Sequence, residues 1–154
     1  MGGGDGMDIE GLCRQHDHIA AIAAELMLLV EKADEPRPVA ALRWGLTRTL
    51  LTHLAVEDRY LYPGMIAQGG TQGAVVASRF QTEMGDLAER FTAYMTEWKD
   101  ERIARDWAGF CDATKLILGA LSRRIAHENE TLYPLARGMR LFAAATQERV
   151  AIRG

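Results

Sequence analysis

Cysteine is nearly absent from this 154-residue chain, which carries only Cys13 and Cys111. Neither stands in a Cys-x-x-Cys pair, so the common zinc and thiol-redox motifs are excluded. A chain of this size buries a sufficient core without staples, and both cysteines are expected as free thiols. Long apolar runs are missing too: the longest, Ile19 to Val30, is twelve residues and is interrupted by Glu25. That excludes a membrane span. No charged segment followed by an apolar one opens the chain, so no secretory signal is expected and the reading is cytoplasmic. Met1 to Gly6 is glycine-rich and lacks the Ser or Thr of a myristoylation site. Basic clusters are absent beyond pairs such as Arg123-Arg124, and the net charge is −3, which argues against a nucleic-acid partner. Strand-like alternation and a glycine-rich phosphate loop are lacking as well.

What the sequence does contain is helical periodicity. Ile9, Leu12, His16, Ile19, Ala23, Leu26 and Val30 recur at alternating spacings of three and four, the stripe of a bundle helix. Asp34 to Pro38 breaks it. Val39, Leu42, Leu46, Leu50, His53, Glu57 and Leu61 make a second stripe, and Pro63 is expected to stop that helix. After a loop around Gly69 to Gly73, a third helix is expected from Val76 through Phe80, Met84, Leu87, Phe91 and Met95 to Trp98. A charged corner, Lys99 to Asp106, leads to a fourth with Trp107, Phe110, Thr114, Ile117, Leu121, Arg124, Glu128 and Thr131 inward, ending at Pro134. Four helices with short connections predict an all-α, antiparallel up-down-up-down four-helix bundle. The expected organisation is a flexible leader over 1–7, the bundle over 8–136, and a short fifth helix and tail over 137–154.

One stretch is repeated. His53-Leu-Ala-Val-Glu57-Asp-Arg-Tyr-Leu61-Tyr62-Pro63 recurs as Arg124-Ile-Ala-His127-Glu128-Asn-Glu-Thr-Leu132-Tyr133-Pro134, matching at the Glu, Leu, Tyr and Pro positions. His53 and Glu57 are four apart and share a helix face, where two side chains can reach one cation. The inward stripes are otherwise almost wholly apolar. Their costly exceptions, His16, His53, Glu57, Arg124 and Glu128, fall at one level of an antiparallel bundle: the start of the first helix and the ends of the second and fourth. Buried charges cost several kcal/mol each unless paired or bound to metal. The layer is therefore a cation site or a buried ion-pair network. Tyr62 and Tyr133 are expected at the helix ends with their hydroxyls in solvent. His18 and Glu83 are expected on the surface, and His127 at the edge of the inward stripe; Tyr60 lies one turn from Glu57, within reach of a carboxylate, and is not counted among the site residues.

His16 in Arg-Gln-His-Asp-His-Ile, His53-x3-Glu57-x3-Leu-Tyr-Pro and Glu128-x3-Leu-Tyr-Pro together resemble the hemerythrin-like (HHE cation-binding) family, over Leu12 to Ala136. The resemblance implies a four-helix bundle holding a non-haem diiron centre, in proteins that bind dioxygen, sense oxygen or iron, or act in oxidative stress. It implies that His16 and His53 hold one iron and that Glu57 and Glu128 bridge. The second iron takes histidines from the third and fourth helices, and there this chain has Met84 and Arg124. A thioether is too soft for ferric iron and a guanidinium repels any cation. His127, beside Glu128, is an additional candidate ligand.

These residues point to a metal-binding or sensory protein, read as a binder before an enzyme, whose site is mononuclear or vacant. The expected cofactor is one non-haem metal ion (iron by resemblance, with zinc or manganese open) or none. The expected ligand is metal or a small gas, with a protein partner or homodimer open. Two alternatives stand: a metal-free regulatory or interaction bundle, and a diiron dioxygen-binding or oxidase protein. Arg124 is expected to act as a substitute cation, paired to Glu57 or Glu128.

Overall fold

The computed structural model describes residues 8–139 and 141. The leader over 1–7 and nearly all of the expected fifth helix, Met139 to Val150, lie outside the described residues. Within them the chain is all-helical and without strands. Its elements are α1 (Ile9–Lys32), α2 (Ala40–Val56), a π-helical turn π1 (Glu57–Leu61), α3 (Tyr62–Ile66), α4 (Gln72–Met84), α5 (Leu87–Glu97), α6 (Asp100–Arg105), α7 (Trp107–His127), a second π-turn π2 (Glu128–Leu132) and α8 (Tyr133–Arg137).

Local chemistry sets the helix starts. The side chains of Asp8, Thr71 and Asp106 accept from the amides of Gly11, Ala74 and Gly109, so α1, α4 and α7 begin on capped first turns. The expected single third helix is instead divided at Gly85-Asp86 into α4 and α5. A side chain at Gly85 would collide with the carbonyl oxygen of Gln81, so the tight junction requires glycine. The charged corner before α7 is itself the short helix α6.

The two prolines do not end their helices, and that expectation is corrected. Pro63 and Pro134 sit in the first turns of α3 and α8, which continue directly from the π-turns. A proline ring clashes with the carbonyl four residues back and supplies no amide. Here the turn before each proline is widened: the amide of Tyr62 bonds to the Glu57 carbonyl, and that of Tyr133 to the Glu128 carbonyl, five residues back. The helix survives its proline, and the sequence repeat becomes a backbone repeat in the same register.

Two apolar clusters flank the polar layer. The larger contains Ile19, Leu26, Leu46, Leu50, Leu54, Phe91, Phe110 and Leu121. The smaller contains Leu12, Leu61, Tyr62, Met65, Phe80, Met84, Leu132 and Tyr133. Along α1, α2–π1 and α7–π2 the polar residues fall between members of one cluster and members of the other. Trp107 ties the start of α7 to the end of α1, its indole donating to the Ala33 carbonyl at 2.9 Å. Cys13 and Cys111 are both free thiols.

Candidate metal centre

His16 comes from the second turn of α1, His53 from the end of α2, and Glu57 and Glu128 from the first positions of the two π-turns. All four are buried, each exposing 2% or less. One potential ligand atom from each lies within 4.8 Å of the others. His16 Nε2 is 3.1 Å from Glu128 Oε1, and His53 Nε2 is 3.1 Å from Glu57 Oε1. These approaches allow charge attraction, yet His53 Nε2 and Glu128 Oε1 have no aligned hydrogen-bond partner among the described residues. Buried polar atoms are rarely left so.

Both imidazoles are oriented from outside the cluster. His16 Nδ1 lies 2.7 Å from Asn129 Oδ1, and His53 Nδ1 lies 2.6 Å from Gln15 Oε1. An amide oxygen accepts the Nδ1 proton, which leaves the Nε2 lone pair facing inward, the usual outer-partner arrangement of a metal-ligating histidine.

The carboxylates are held crosswise by the repeat. Tyr133 donates to Glu57 Oε2 at 2.5 Å and lies 2.9 Å from His16 Nε2; Tyr62 donates to Glu128 Oε2 at 2.7 Å. Each tyrosine thus serves the glutamate of the other copy. Both are buried, so the expectation of solvent-facing hydroxyls is wrong. Replacing Tyr133 with Phe is expected to lower stability by about 1–3 kcal/mol, the cost of leaving a buried acceptor short of its donor. Urea denaturation checks it, and an unchanged midpoint would mean that Tyr133 does not support Glu57.

Arg124, 1% exposed, closes the layer. Its Nε donates to Glu128 Oε2 at 3.0 Å, and one terminal nitrogen reaches Glu57 Oε1 at 3.3 Å and Asp58 Oδ1 at 2.7 Å. The other donates to the Met84 carbonyl at 3.2 Å, at the end of α4, where backbone carbonyls lack helical partners. Its guanidinium carbon sits 5.2 Å from the centre of the Tyr62 ring. The expected pairing with Glu57 or Glu128 is met with both.

The electrostatics follow from crowding. Burial and then the Glu57 charge push the Glu128 carboxyl up. Burial pushes the His16 imidazole down, but contact with Glu128 and the charges of Glu128 and Glu57 outweigh it, so His16 is raised overall. His53 is pushed down to about 4, by burial first and by neighbouring His16 second. Burial, then the opposing carboxylates, raise both tyrosine hydroxyls, which stay protonated donors.

The family model described as the Hemerythrin HHE cation binding domain matches residues 7–136. The chain belongs to this family. No curated protein and no solved structure matches it. Hemerythrin-like domains bind non-haem metal, and the residues present fit one: two oriented imidazoles, two buried carboxylates, and two inward atoms with no hydrogen-bond partner among the described residues. Charge agrees. In the forms that ligate a metal, neutral imidazoles and ionised carboxylates, Glu57, Glu128 and Asp58 against Arg124 leave two negative charges, which a divalent cation balances.

The other candidate positions of this hemerythrin-like chain stand apart. Met84 contributes its carbonyl to Arg124 while its side chain packs in the smaller apolar cluster. His127 is partly buried, edge-on to Phe80 at 5.2 Å between ring centres, outside the ligand group. His18, Tyr60 and Glu83 are exposed. Sequence reasoning missed Gln15, Asn129 and Asp58. Each is a chain neighbour of a layer residue, and that adjacency is the signal that could have found them.

Proposed function

We propose that this protein is a cytoplasmic, mononuclear non-haem metal-binding protein of the hemerythrin-like family, serving as a metal or small-ligand sensor rather than a dioxygen carrier. The single observation that carries the proposal is the buried group of His16, His53, Glu57 and Glu128, with ligand atoms within 4.8 Å of one another. His16 and His53 supply the nitrogen ligands, and Glu57 and Glu128 the oxygen ligands. This mixture suits iron, zinc or manganese, and iron is favoured by family membership. A bound ion would supply Lewis acidity, and iron or manganese a redox centre as well. The chain's own residues do the rest: Gln15 and Asn129 orient the imidazoles, Tyr62 and Tyr133 steady the carboxylates, and the flanking apolar clusters exclude water.

Arg124 acts as a permanent substitute for a second cation. Its fork spans Glu128 and Glu57, and its far nitrogen touches the backbone of Met84, where the family pattern places a histidine. The domain proposed is 8–136, an up-down-up-down antiparallel four-helix bundle. Its support is the joining of the start of α1 to the ends of α2 and α7 around the layer, and of the start of α7 to the end of α1. The two free thiols accord with a reducing compartment.

Thermal unfolding tests the reading. Chelator-stripped protein is expected to gain melting temperature with rising ferrous, zinc or manganous ion, because a ligand that binds only the folded state stabilises it by mass action. If none of the three ions raises the melting temperature, the layer is a closed ion-pair network and the protein a metal-free bundle.

A further inference from the structure

A second buried arginine sits where no sequence stripe called for one. Arg43, in the first turn of α2, is 3% exposed, yet no carboxylate of the described residues pairs with it. It lies ten residues before His53, about 15 Å along the helix, and takes no part in the metal layer. Its guanidinium carbon stands 5.1 Å from the centre of the Tyr94 ring and 5.3 Å from that of Phe110. These faces attract the positive charge, but a ring centre does not accept the N–H groups that leave a guanidinium in its own plane. Two of those groups, Nε and Nη2, are buried with no hydrogen-bond partner among the described residues.

The identity of these two atoms is informative. Nε and Nη2 form one side of the fork, whose parallel N–H bonds fit two oxygens of a single planar anion. The surroundings favour negative charge. Helical side chains lean toward their own N-terminus, so the guanidinium lies at the positive end of α2. That end has no acidic residue in its first turn and no capping side chain. Tyr94 and Thr114, both buried, share one hydroxyl bond at 2.7 Å, which uses one of their two protons and leaves the other as a further donor. A surface groove of about 210 Å³, lined by Pro36 to Ala40 and by Asp100, Ile103 and Ala104, includes Val39 and Ala40, which precede Arg43 by one helical turn.

We propose that Arg43 is the anchor of a second binding site, for a small planar oxyanion of the carboxylate, bicarbonate or nitrate class, held on the Nε–Nη2 edge of its fork between α2, α5 and α7. A buried guanidinium with no carboxylate partner among the described residues is otherwise among the costliest groups a core can hold. With the anion bound, the fork, the charge and the helix end are satisfied together. The ligand pairs with the protein in the way that Glu57 and Glu128 pair with Arg124 at the other layer.

The test is thermal unfolding of the full chain in formate, bicarbonate and nitrate, each against chloride at equal ionic strength. The wild type is expected to melt higher in at least one of the three, by about 3–5 °C at ten times the dissociation constant. Arg43→Met, which removes the charge and the fork, is expected to lose the difference. Arg43→Lys, which keeps the charge without the fork, is expected to lose most of it. Calorimetric titration of the wild type with the same salts reads binding directly and serves if Arg43→Met does not fold. Equal melting in all four salts, an oxyanion response that persists in Arg43→Met, or one that is undiminished in Arg43→Lys, would overturn the proposal and leave Tyr94 and Phe110 as the partners of Arg43 among the described residues.

Discussion

Replacing Arg124 with alanine is expected to lower the stability of chelator-treated protein by about 3–5 kcal/mol, the usual cost of stranding the partner of a buried ion pair. The geometry places the effect at the upper end for a single side chain. Glu57 and Glu128 expose 0% and 1%, and each loses its guanidinium donor at once. The Met84 carbonyl loses a donor as well, and Asp58 its 2.7 Å partner. Three carboxylates would then face one another without a fixed cation, and burial already drives Glu128 toward its neutral form. Added divalent metal is expected to recover part of the loss, because it supplies the missing charge. Arg124→Lys should fall between, keeping the charge but not a planar fork that reaches both glutamates. A urea-denaturation loss below about 1 kcal/mol, the range of exposed ion pairs, would show that the layer does not depend on Arg124.

Replacing His53 with alanine is expected to weaken metal binding by on the order of 100-fold or more, since loss of an outer partner alone costs 10–100-fold. His53 Nε2 is buried and has no hydrogen-bond partner among the described residues, and burial with the proximity of His16 pushes it down to about 4, so it is neutral near pH 7 and its lone pair is available. Gln15→Ala, which removes the Nδ1 partner of His53, should cause a smaller loss. His127→Ala should cause none, because His127 packs on Phe80 outside the ligand group. Competition titration against a chelator of known affinity reads all three. Equal affinity in wild type and His53→Ala would remove His53 from the site.

Much of this arrangement is legible in the sequence because a charge in a 3-4 stripe stands out against its apolar neighbours. His16, His53, Glu57, Arg124 and Glu128 are visible in that way, and antiparallel packing predicts that they share a level. The tyrosines are not. On an ideal α-helix, residue i+5 is rotated about 140° from residue i, which sends Tyr62 away from Glu57 and into solvent. The π-turn returns the fifth residue to the inward face, and Tyr62 and Tyr133 become buried donors. The signal was the repeated Leu-Tyr-Pro itself, since two solvent-facing tyrosines would give no reason for the repeat to keep them in register. Arg43 was hidden for a different reason. It lies one position beyond Leu42 in the expected stripe, and a single arginine at a helix start reads as surface until its aromatic neighbours from α5 and α7 are in place. The division at Gly85 was equally hidden, because Met84 and Leu87 keep the apolar period across it.

Metal stoichiometry is the most direct test of the central account, in which one cation is bound and Arg124 stands in for the second. Native mass spectrometry of protein reconstituted anaerobically with excess ferrous ion, then freed of unbound metal, counts ions per folded chain. The account predicts one ion in the wild type and none in the His16→Ala/His53→Ala double variant. Two ions per wild-type chain at full occupancy would contradict it.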